Sequence, residues 1–172
     1  MAANDFLGRS ATAHPGVILL LYGSMTGNSE VIAQALARDF AQIGVSTYLR
    51  DMADCEPRIL TQAEFVLIVT STYGNGEPPE EAVPFWRGVV HDARLDLRGI
   101  KFSVLALGNS SFDHFCQCGR DFDTALERQG ARRITQRIDC DVDYEASAKV
   151  WFAKILSLFV GNQFRIGSRI IL

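Results

Sequence analysis

At 172 residues, the chain is long enough for one domain with a full hydrophobic core and too short for two ordinary domains. Its composition, 48% hydrophobic and 22% charged, is typical of a soluble globular protein rather than a disordered or fibrous one. The net charge of −3 disfavours nucleic acid and anionic membrane surfaces as partners. No apolar run reaches the roughly 18 residues that a membrane span needs.

The start of the chain and its cysteines indicate a cytoplasmic protein, and we expect it to be a monomer. Residues 1–16 lack the basic start and apolar run of a secretory signal, so we expect a flexible leader there. The four cysteines contain no CxxC pair, and a chain of this size needs no disulfides, which indicates reduced thiols. With only three histidines, the sequence predicts no metal site. We expect the main domain to span residues 17–160, followed by a tail over residues 161–172.

Strands and helices alternate along the predicted domain. Buried strands are predicted where apolar runs lie between turn residues, and helices where apolar residues recur every three or four positions. The predicted strands are Val17–Tyr22, Val45–Leu49, Phe65–Val69, Phe102–Leu107 and Ile134–Ile138. The predicted helices are Val31–Ile43, Ala82–Val90, Cys116–Arg128 and Asp143–Phe159. This alternation implies βαβ crossovers, and therefore an α/β fold with a parallel sheet covered by helices on both faces.

The first candidate binding loop is Gly23–Ser29, which opens directly into a helix. Ligands of such sheets bind beyond the carboxyl ends of the strands, so the loops at that edge are the ones to search. This loop combines glycines that permit a tight turn with hydroxyls, amides and a helix N-terminus that can bind an anion. It contains no Lys or Arg, and it matches neither the P-loop pattern nor GxGxxG. It is either a phosphate site built from neutral donors or an ordinary helix cap with a glycine turn.

Two further loops place an aromatic residue beside glycine at the end of a strand. Ser71–Pro79 carries Tyr73 between a strand end and two glycines, and Leu107–Cys116 carries Phe112 after a glycine and several polar residues. An aromatic ring can stack on a planar ligand, and glycine lets the backbone approach that ligand closely. Each aromatic taken alone is equally compatible with an ordinary surface or core residue. Together, the three loops predict a ligand with a phosphate and a planar ring, which is flavin mononucleotide (FMN).

Three segments resemble the cofactor loops of the flavodoxin-like domain in diflavin reductases. They are Gly-Ser-x-Thr-Gly-Asn (23–28), Ser-Thr-Tyr-Gly-Asn-Gly-Glu-Pro-Pro-Glu-Glu-Ala-Val (71–83) and Leu-Gly-Asn-Ser-Ser-Phe-Asp-His-Phe-Cys-Gln-Cys-Gly (107–119). The chain resembles in particular the flavoprotein subunit of bacterial NADPH-dependent sulfite reductase, and the likeness covers about residues 17 to 158. The resemblance implies a flavodoxin-like, doubly wound sheet of five parallel strands in the order 2-1-3-4-5, with helices on both faces.

The resemblance also implies which residues hold FMN. Ser24–Ser29 would bind the phosphate, while Ser71–Gly74 and Leu107–Cys116 would frame the isoalloxazine ring. The family usually has Tyr at the second stacking position, whereas Phe112 keeps the ring contact without the hydroxyl. The loop around Gly74 is expected to change its backbone conformation when the ring takes up a proton. The implied cofactor-binding residues are Ser24, Met25, Thr26, Gly27, Asn28, Ser29, Ser71, Thr72, Tyr73, Gly74, Asn75, Gly76, Leu107, Gly108, Asn109, Phe112, His114, Phe115, Cys116 and Asp141.

A carrier of single electrons is the function that these observations predict. FMN does the redox chemistry, and the protein supplies position and electrostatics. We expect an NADPH-dependent flavin reductase as the donor and a heme or iron–sulfur protein as the acceptor. Carboxylates in or beside the loops are either solvated charges or a negative rim that steers a basic partner. They are Glu77, Glu80, Glu81, Asp113, Asp139, Asp141, Asp143 and Glu145.

Two other functions are compatible with parts of the pattern. The chain is alternatively the FMN module of a sulfite-reductase-type or other diflavin NADPH reductase system. A flavin-free receiver domain of similar fold would need acidic residues at the end of the first strand. This chain has Tyr22 and Gly23 there, which disfavours a receiver.

Overall fold

The computed structural model describes residues 14–92 and 94–160, which form one parallel sheet with helices on both faces. The strands are β1 (His14–Gly23), β2 (Thr47–Asp51), β3 (Ala63–Ser71), β4 (Lys101–Leu107), β5 (Arg132–Arg133) and β6 (Ile138–Cys140). The helices are α1 (Asn28–Gln42), α2 (Val83–Arg87), α3 (Gln117–Arg128) and α4 (Glu145–Val160). The sheet order is β2-β1-β3-β4-β5, with β6 also pairing with β4. All strand pairs are parallel, which confirms the predicted fold class.

Two hydrophobic cores lie on opposite faces of the sheet. Successive residues of a strand point to opposite faces, so strands with continuous apolar runs supply both cores. One core joins the sheet to α2 and α3 and includes Leu19, Val66, Val104, Phe85 and Phe122. The other joins the sheet to α1 and α4 and includes Leu20, Leu67, Leu105, Leu36 and Trp151. This double burial explains why β1, β3 and β4 could be recognised from apolar runs alone.

The prediction of a single fifth strand over Ile134–Ile138 was wrong. Two short strands replace it, because β5 pairs with Lys101–Phe102 and β6 pairs with Leu105–Leu107. Residues 134–137 belong to neither strand, although the Ile134 N–H still donates to the Phe102 carbonyl at 2.9 Å. The interruption places the hydroxyl of Thr135 at 2.7 Å from that of Ser103, a buried residue of β4. The indole N–H of Trp151 donates to the same Ser103 hydroxyl at 2.8 Å. A buried hydroxyl needs partners, and these two contacts satisfy that of Ser103.

Other element bounds differ from the predictions by a few residues. β1 begins at His14 rather than Val17, and α2 continues after Arg87 as a π-helical turn, Gly88–Asp92. The predicted leader lies outside the described residues except for 14–16, which begin β1, and the predicted tail lies entirely outside them. Within the described parts of the chain, no helix is both long and apolar enough to cross a membrane.

Candidate functional site

A cleft of about 620 Å³ lies where β1, β3 and β4 end. The loops after these strands and the segment after β6 form its walls, as expected for a ligand site at the carboxyl edge of a doubly wound sheet. Its lining residues are Met25, Thr26, Asn28, Ser71, Thr72, Tyr73, Gly74, Leu107, Gly108, Asn109, Phe112, His114, Phe115, Cys116, Asp141, Val142 and Tyr144. They contain no Lys or Arg, so a bound phosphate would meet neutral donors.

The first loop turns into α1 through Gly27, the residue just before the helix. Gly27 has φ +88°, a left-handed conformation that side chains other than glycine rarely adopt. The backbone N–H of Ser29 donates to the hydroxyl of Ser24 at 3.3 Å, which holds the turn closed. The side chain of Ser29 is fully buried, and its hydroxyl has no hydrogen-bond partner among the described residues. A buried hydroxyl without a partner is costly. The Ser29 hydroxyl therefore indicates a ligand that accepts its hydrogen bond.

The second loop is a tight turn between Tyr73 and Glu77. The Tyr73 N–H donates to the Glu77 carbonyl at 2.8 Å, and the Glu77 N–H donates back to the Tyr73 carbonyl at 2.9 Å. Positive φ values at Gly74 (+51°) and Gly76 (+108°) make the turn possible. The Asn75 N–H, at the tip of the turn, donates to the carboxylate of Glu77, the last residue of the turn, at 2.6 Å. The turn leaves the Tyr73 side chain 58% exposed at the cleft.

The third loop is packed closely against the end of the sheet. A Cβ on Gly108 would lie 2.8 Å from the backbone nitrogen of Cys116, so only glycine fits there. Cys116 has φ +57° and is the only non-glycine residue with positive φ in the described part of the chain. Its buried thiol donates to the carbonyl of Ala106 at 3.3 Å, and burial raises the pKa of this thiol to about 12. The loop leaves Phe112 with 61% of its surface exposed at the cleft.

Hydrogen bonds connect the second and third loops to each other. The Thr72 N–H donates to the Leu107 carbonyl at 2.9 Å, and the Cys118 N–H donates to the Thr72 hydroxyl at 3.1 Å. A Cβ on Gly76 would lie 3.0 Å from the Cβ of His114, so the two loops also pack closely. The walls that carry Tyr73 and Phe112 are therefore fixed relative to one another.

Asp141, just after β6, fastens the third loop to the edge of the sheet. One carboxylate oxygen accepts from the N–H of Ser110 at 3.0 Å and from the N–H of Val142 at 2.8 Å. The other oxygen accepts from the Ser110 hydroxyl. The Ser110 hydroxyl and then these two backbone N–H groups hold the pKa of Asp141 below its ordinary value. We call these three hydrogen bonds the Asp141 clasp.

The structure brings most of the predicted site residues to one cleft. The predicted residues outside its lining are Ser24, Gly27, Ser29, Asn75 and Gly76, which shape or lie behind the first two loops. Val142 and Tyr144 line the cleft and were not predicted, although they closely follow Asp141 in the sequence. Val142 has no sequence signal beyond that position, whereas Tyr144 is aromatic like Tyr73 and Phe112 but has no glycine beside it. In the described residues, no group of three or more His, Cys, Asp or Glu side chains is placed to hold a metal ion.

Together, these features define a class of protein that binds a flat, phosphorylated ligand in a doubly wound α/β domain. Two exposed aromatic rings at the cleft suit a planar ring system. Among the described residues, the buried hydroxyls of Ser71 in the cleft lining and of Ser29 in the first turn of α1 have no partner, which suits a ligand rich in hydrogen-bond acceptors. A family model described as Flavodoxin matches residues 20–151, so the chain belongs to the flavodoxin family, whose cofactor is FMN. The resemblance inferred from the three loops is confirmed.

Individual relatives and solved structures agree with this membership. The chain is 41% identical over 140 residues to the sulfite reductase [NADPH] flavoprotein alpha-component of Bacillus subtilis, covering 81% of this chain and 23% of that protein. It is 38% identical to the same component of Vibrio cholerae, covering 88% of this chain and 25% of that protein. The chain thus spans about a quarter of the length of these relatives.

Among solved structures, a flavodoxin from Streptococcus pneumonia TIGR4 superposes with a TM-score of 0.74 at 25% identity, covering 84% of this chain and 99% of that one. A mutant of flavodoxin from Pseudomonas aeruginosa superposes with a TM-score of 0.71 at 24% identity, covering 82% of this chain and 97% of that one. The second likeness supports the fold alone.

Proposed function

We propose that this chain passes single electrons between a reductase and an acceptor protein, with FMN bound in the cleft. The observation that carries the proposal is the pair of exposed aromatic rings, Tyr73 and Phe112, on loops fixed around a cleft with no cationic lining. Bound FMN supplies the redox chemistry, because it accepts and gives up electrons one at a time. The chain supplies position and electrostatics.

The first loop and the start of α1 would hold the phosphate. The N-terminus of a helix presents unpaired N–H groups and the positive end of its dipole, which favours an anion without a basic side chain. Thr26 and Asn28 line the cleft beside this turn, and the buried Ser29 hydroxyl has no other partner in the described residues. Neutral donors leave the phosphate charge unneutralised, which disfavours any additional negative charge on the ligand.

The aromatic rings would cover the faces of the isoalloxazine ring. Stacking of this kind contributes roughly 0.5–1.5 kcal/mol beyond the burial of area. Both rings are exposed in the protein alone, so binding would remove a large apolar surface from water. The hydrogen bonds between Thr72, Leu107 and Cys118 keep the two loops in register, so little ordering is needed on binding.

We further propose that partners dock on an acidic rim beside the cleft. Glu80, Glu81, Asp113 and Asp143 are exposed, and none of them forms an ion pair within the described residues. By contrast, Arg133 and Arg137 pair with the nearly buried Asp123 of α3, so the charges of these three residues are already paired. An NADPH-dependent flavin reductase as donor and a heme or iron–sulfur protein as acceptor would each meet this rim.

The rim is tested by the salt dependence of electron transfer to a basic heme protein, cytochrome c. Glu81→Gln removes one rim charge, and Asp39→Asn on α1 is the matched control with the same charge change. We expect Glu81→Gln to slow transfer at low salt and to flatten its dependence on ionic strength, because steering weakens. Equal effects of the two variants, or wild-type transfer that ignores ionic strength, would contradict an acidic rim.

A second candidate is the FMN module of a sulfite-reductase-type system. The identities of 41% and 38% to sulfite reductase flavoprotein components, with only about a quarter of their length covered, favour it. The two candidates differ in their choice of partner. A module would transfer electrons much faster to a sulfite reductase hemoprotein than to unrelated heme proteins, whereas a carrier would serve several acceptors at similar rates.

A further inference from the structure

We infer that Asp141 is a positioning residue, which holds the third loop in its cofactor-binding shape rather than contacting FMN itself. The inference rests on the proposed function, in which that loop carries the Phe112 ring. The Asp141 carboxylate directs both of its oxygens at protein donors: the N–H and hydroxyl of Ser110 and the N–H of Val142. These bonds leave the carboxylate directed toward the loop, although the residue lies at the cleft wall.

The clasp acts on a loop that has few other attachments in its middle. At its start, the Gly108 N–H donates to the Cys140 carbonyl at 2.9 Å. At its end, the Cys116 thiol approaches the same Cys140 carbonyl at 3.6 Å. Between these ends, the clasp joins Ser110 to a residue 31 positions away along the chain. Phe112 lies two residues after Ser110, so the clasp controls the aromatic wall of the cleft.

The base of the clasp is itself held in place by charge pairs. The Arg137 guanidinium contacts Asp139 of β6 at 2.7 Å and Asp123 of α3 at 3.1 Å. Asp123 is nearly buried and also pairs with Arg133 at 2.9 Å. Partly buried, multiply bonded charge pairs are better ordered than exposed ones. Asp141 therefore extends from a rigid strand end, as a positioning residue requires.

The geometry allows a substitution that separates hydrogen bonding from charge. In Asp141→Asn, the side-chain oxygen can still accept from the N–H groups of Ser110 and Val142. The new amide can donate to the Ser110 hydroxyl, which reverses that bond without losing it. Asp141→Ala removes all three bonds, and Ser110→Ala removes only the hydroxyl bond. A direct electrostatic role for Asp141 would make Asn and Ala equally harmful, whereas a positioning role makes Asn close to wild type.

The test measures amide hydrogen exchange in the FMN-free protein and the FMN dissociation rate in the loaded protein. We expect Asp141→Ala to lower protection of the Ser110 and Val142 amides at least tenfold and to speed FMN dissociation at least tenfold. Asp141→Asn should stay within threefold of wild type in both measurements, and Ser110→Ala should lie between.

Two results would overturn the inference. One is an Asn variant as impaired as the Ala variant in FMN dissociation, and the other is an Ala variant with unchanged protection at Ser110. The exchange measurement needs no FMN, so it reports on the clasp even if the proposed function fails.

Discussion

Replacing Ser29 with alanine should affect the FMN-free and the FMN-bound protein in opposite ways. In the structure, the Ser29 side chain is fully buried in the first turn of α1, and its hydroxyl has no partner among the described residues. Leaving a buried hydroxyl unpaired costs about 1–3 kcal/mol, and alanine is also the better helix former. The free energy of unfolding of FMN-free Ser29→Ala should therefore equal or exceed that of the wild type.

Binding of FMN should weaken in the same variant. If the Ser29 hydroxyl donates to the phosphate, alanine removes a hydrogen bond to a charged group, worth about 1.5–3 kcal/mol. At roughly 1.4 kcal/mol per factor of ten, this loss raises the Kd for FMN by about 10- to 150-fold. The Kd follows from titration of the FMN-free protein by quenching of flavin fluorescence, and stability follows from urea unfolding.

A second serine provides the control for helix propensity. Ser157 of α4 is exposed and donates to the Lys154 carbonyl at 2.8 Å, so Ser157→Ala should leave the Kd for FMN unchanged. The reasoning is refuted if Ser29→Ala loses more than about 1 kcal/mol of stability without FMN, since an unpartnered hydroxyl has no bond to lose. It is equally refuted if the Kd does not change.

Three further predictions follow from particular contacts. Gly119→Ala should lower the free energy of unfolding by about 1–3 kcal/mol in urea, because the new Cβ would lie 2.3 Å from the Cβ of Ala106 and force α3 away from β4. Gly74→Ala should shift the one-electron potentials of bound FMN, because φ +51° is strained for alanine and the new Cβ would lie 2.6 Å from the Glu77 carboxylate. Unchanged potentials would argue against a role for this loop in setting the potentials of FMN. Hydrogen bonds lower the pKa of Asp141 in the folded chain. The clasp is therefore intact at and above the ordinary pKa of aspartate, and it is lost as the pH falls through the lowered pKa. The amide shift of Ser110 should titrate only in that lower range, and a titration at the ordinary aspartate pKa would contradict the clasp.

Much of this fold can be predicted from the sequence, because the central strands bear a strong signal. Phe65–Val69 and Phe102–Leu107 are nearly continuous apolar runs since both faces of β3 and β4 are buried. The three loops were found for a related reason. Glycine and small polar residues directly after a buried strand indicate a tight turn from the local sequence alone. Gly27, Gly74 and Gly76 do adopt positive φ.

The features that were missed depend on contacts between distant parts of the chain. The split of the fifth strand accompanies hydrogen bonds that join Thr135, Ser103 and Trp151, which are far apart in the sequence. The positive φ of Cys116 is unexpected for a residue with a side chain, and its thiol bond to Ala106 supports that conformation only in the folded state. Val142 lines the cleft beside Asp141, whose bond to Ser110 joins residues 31 positions apart.

The measurement that tests the central claim most directly is an anaerobic potentiometric titration of the purified chain loaded with FMN. The account predicts one FMN per chain and two separable one-electron steps. A chain that takes up no FMN, or one whose FMN is reduced in a single two-electron step, would contradict a role in passing electrons singly.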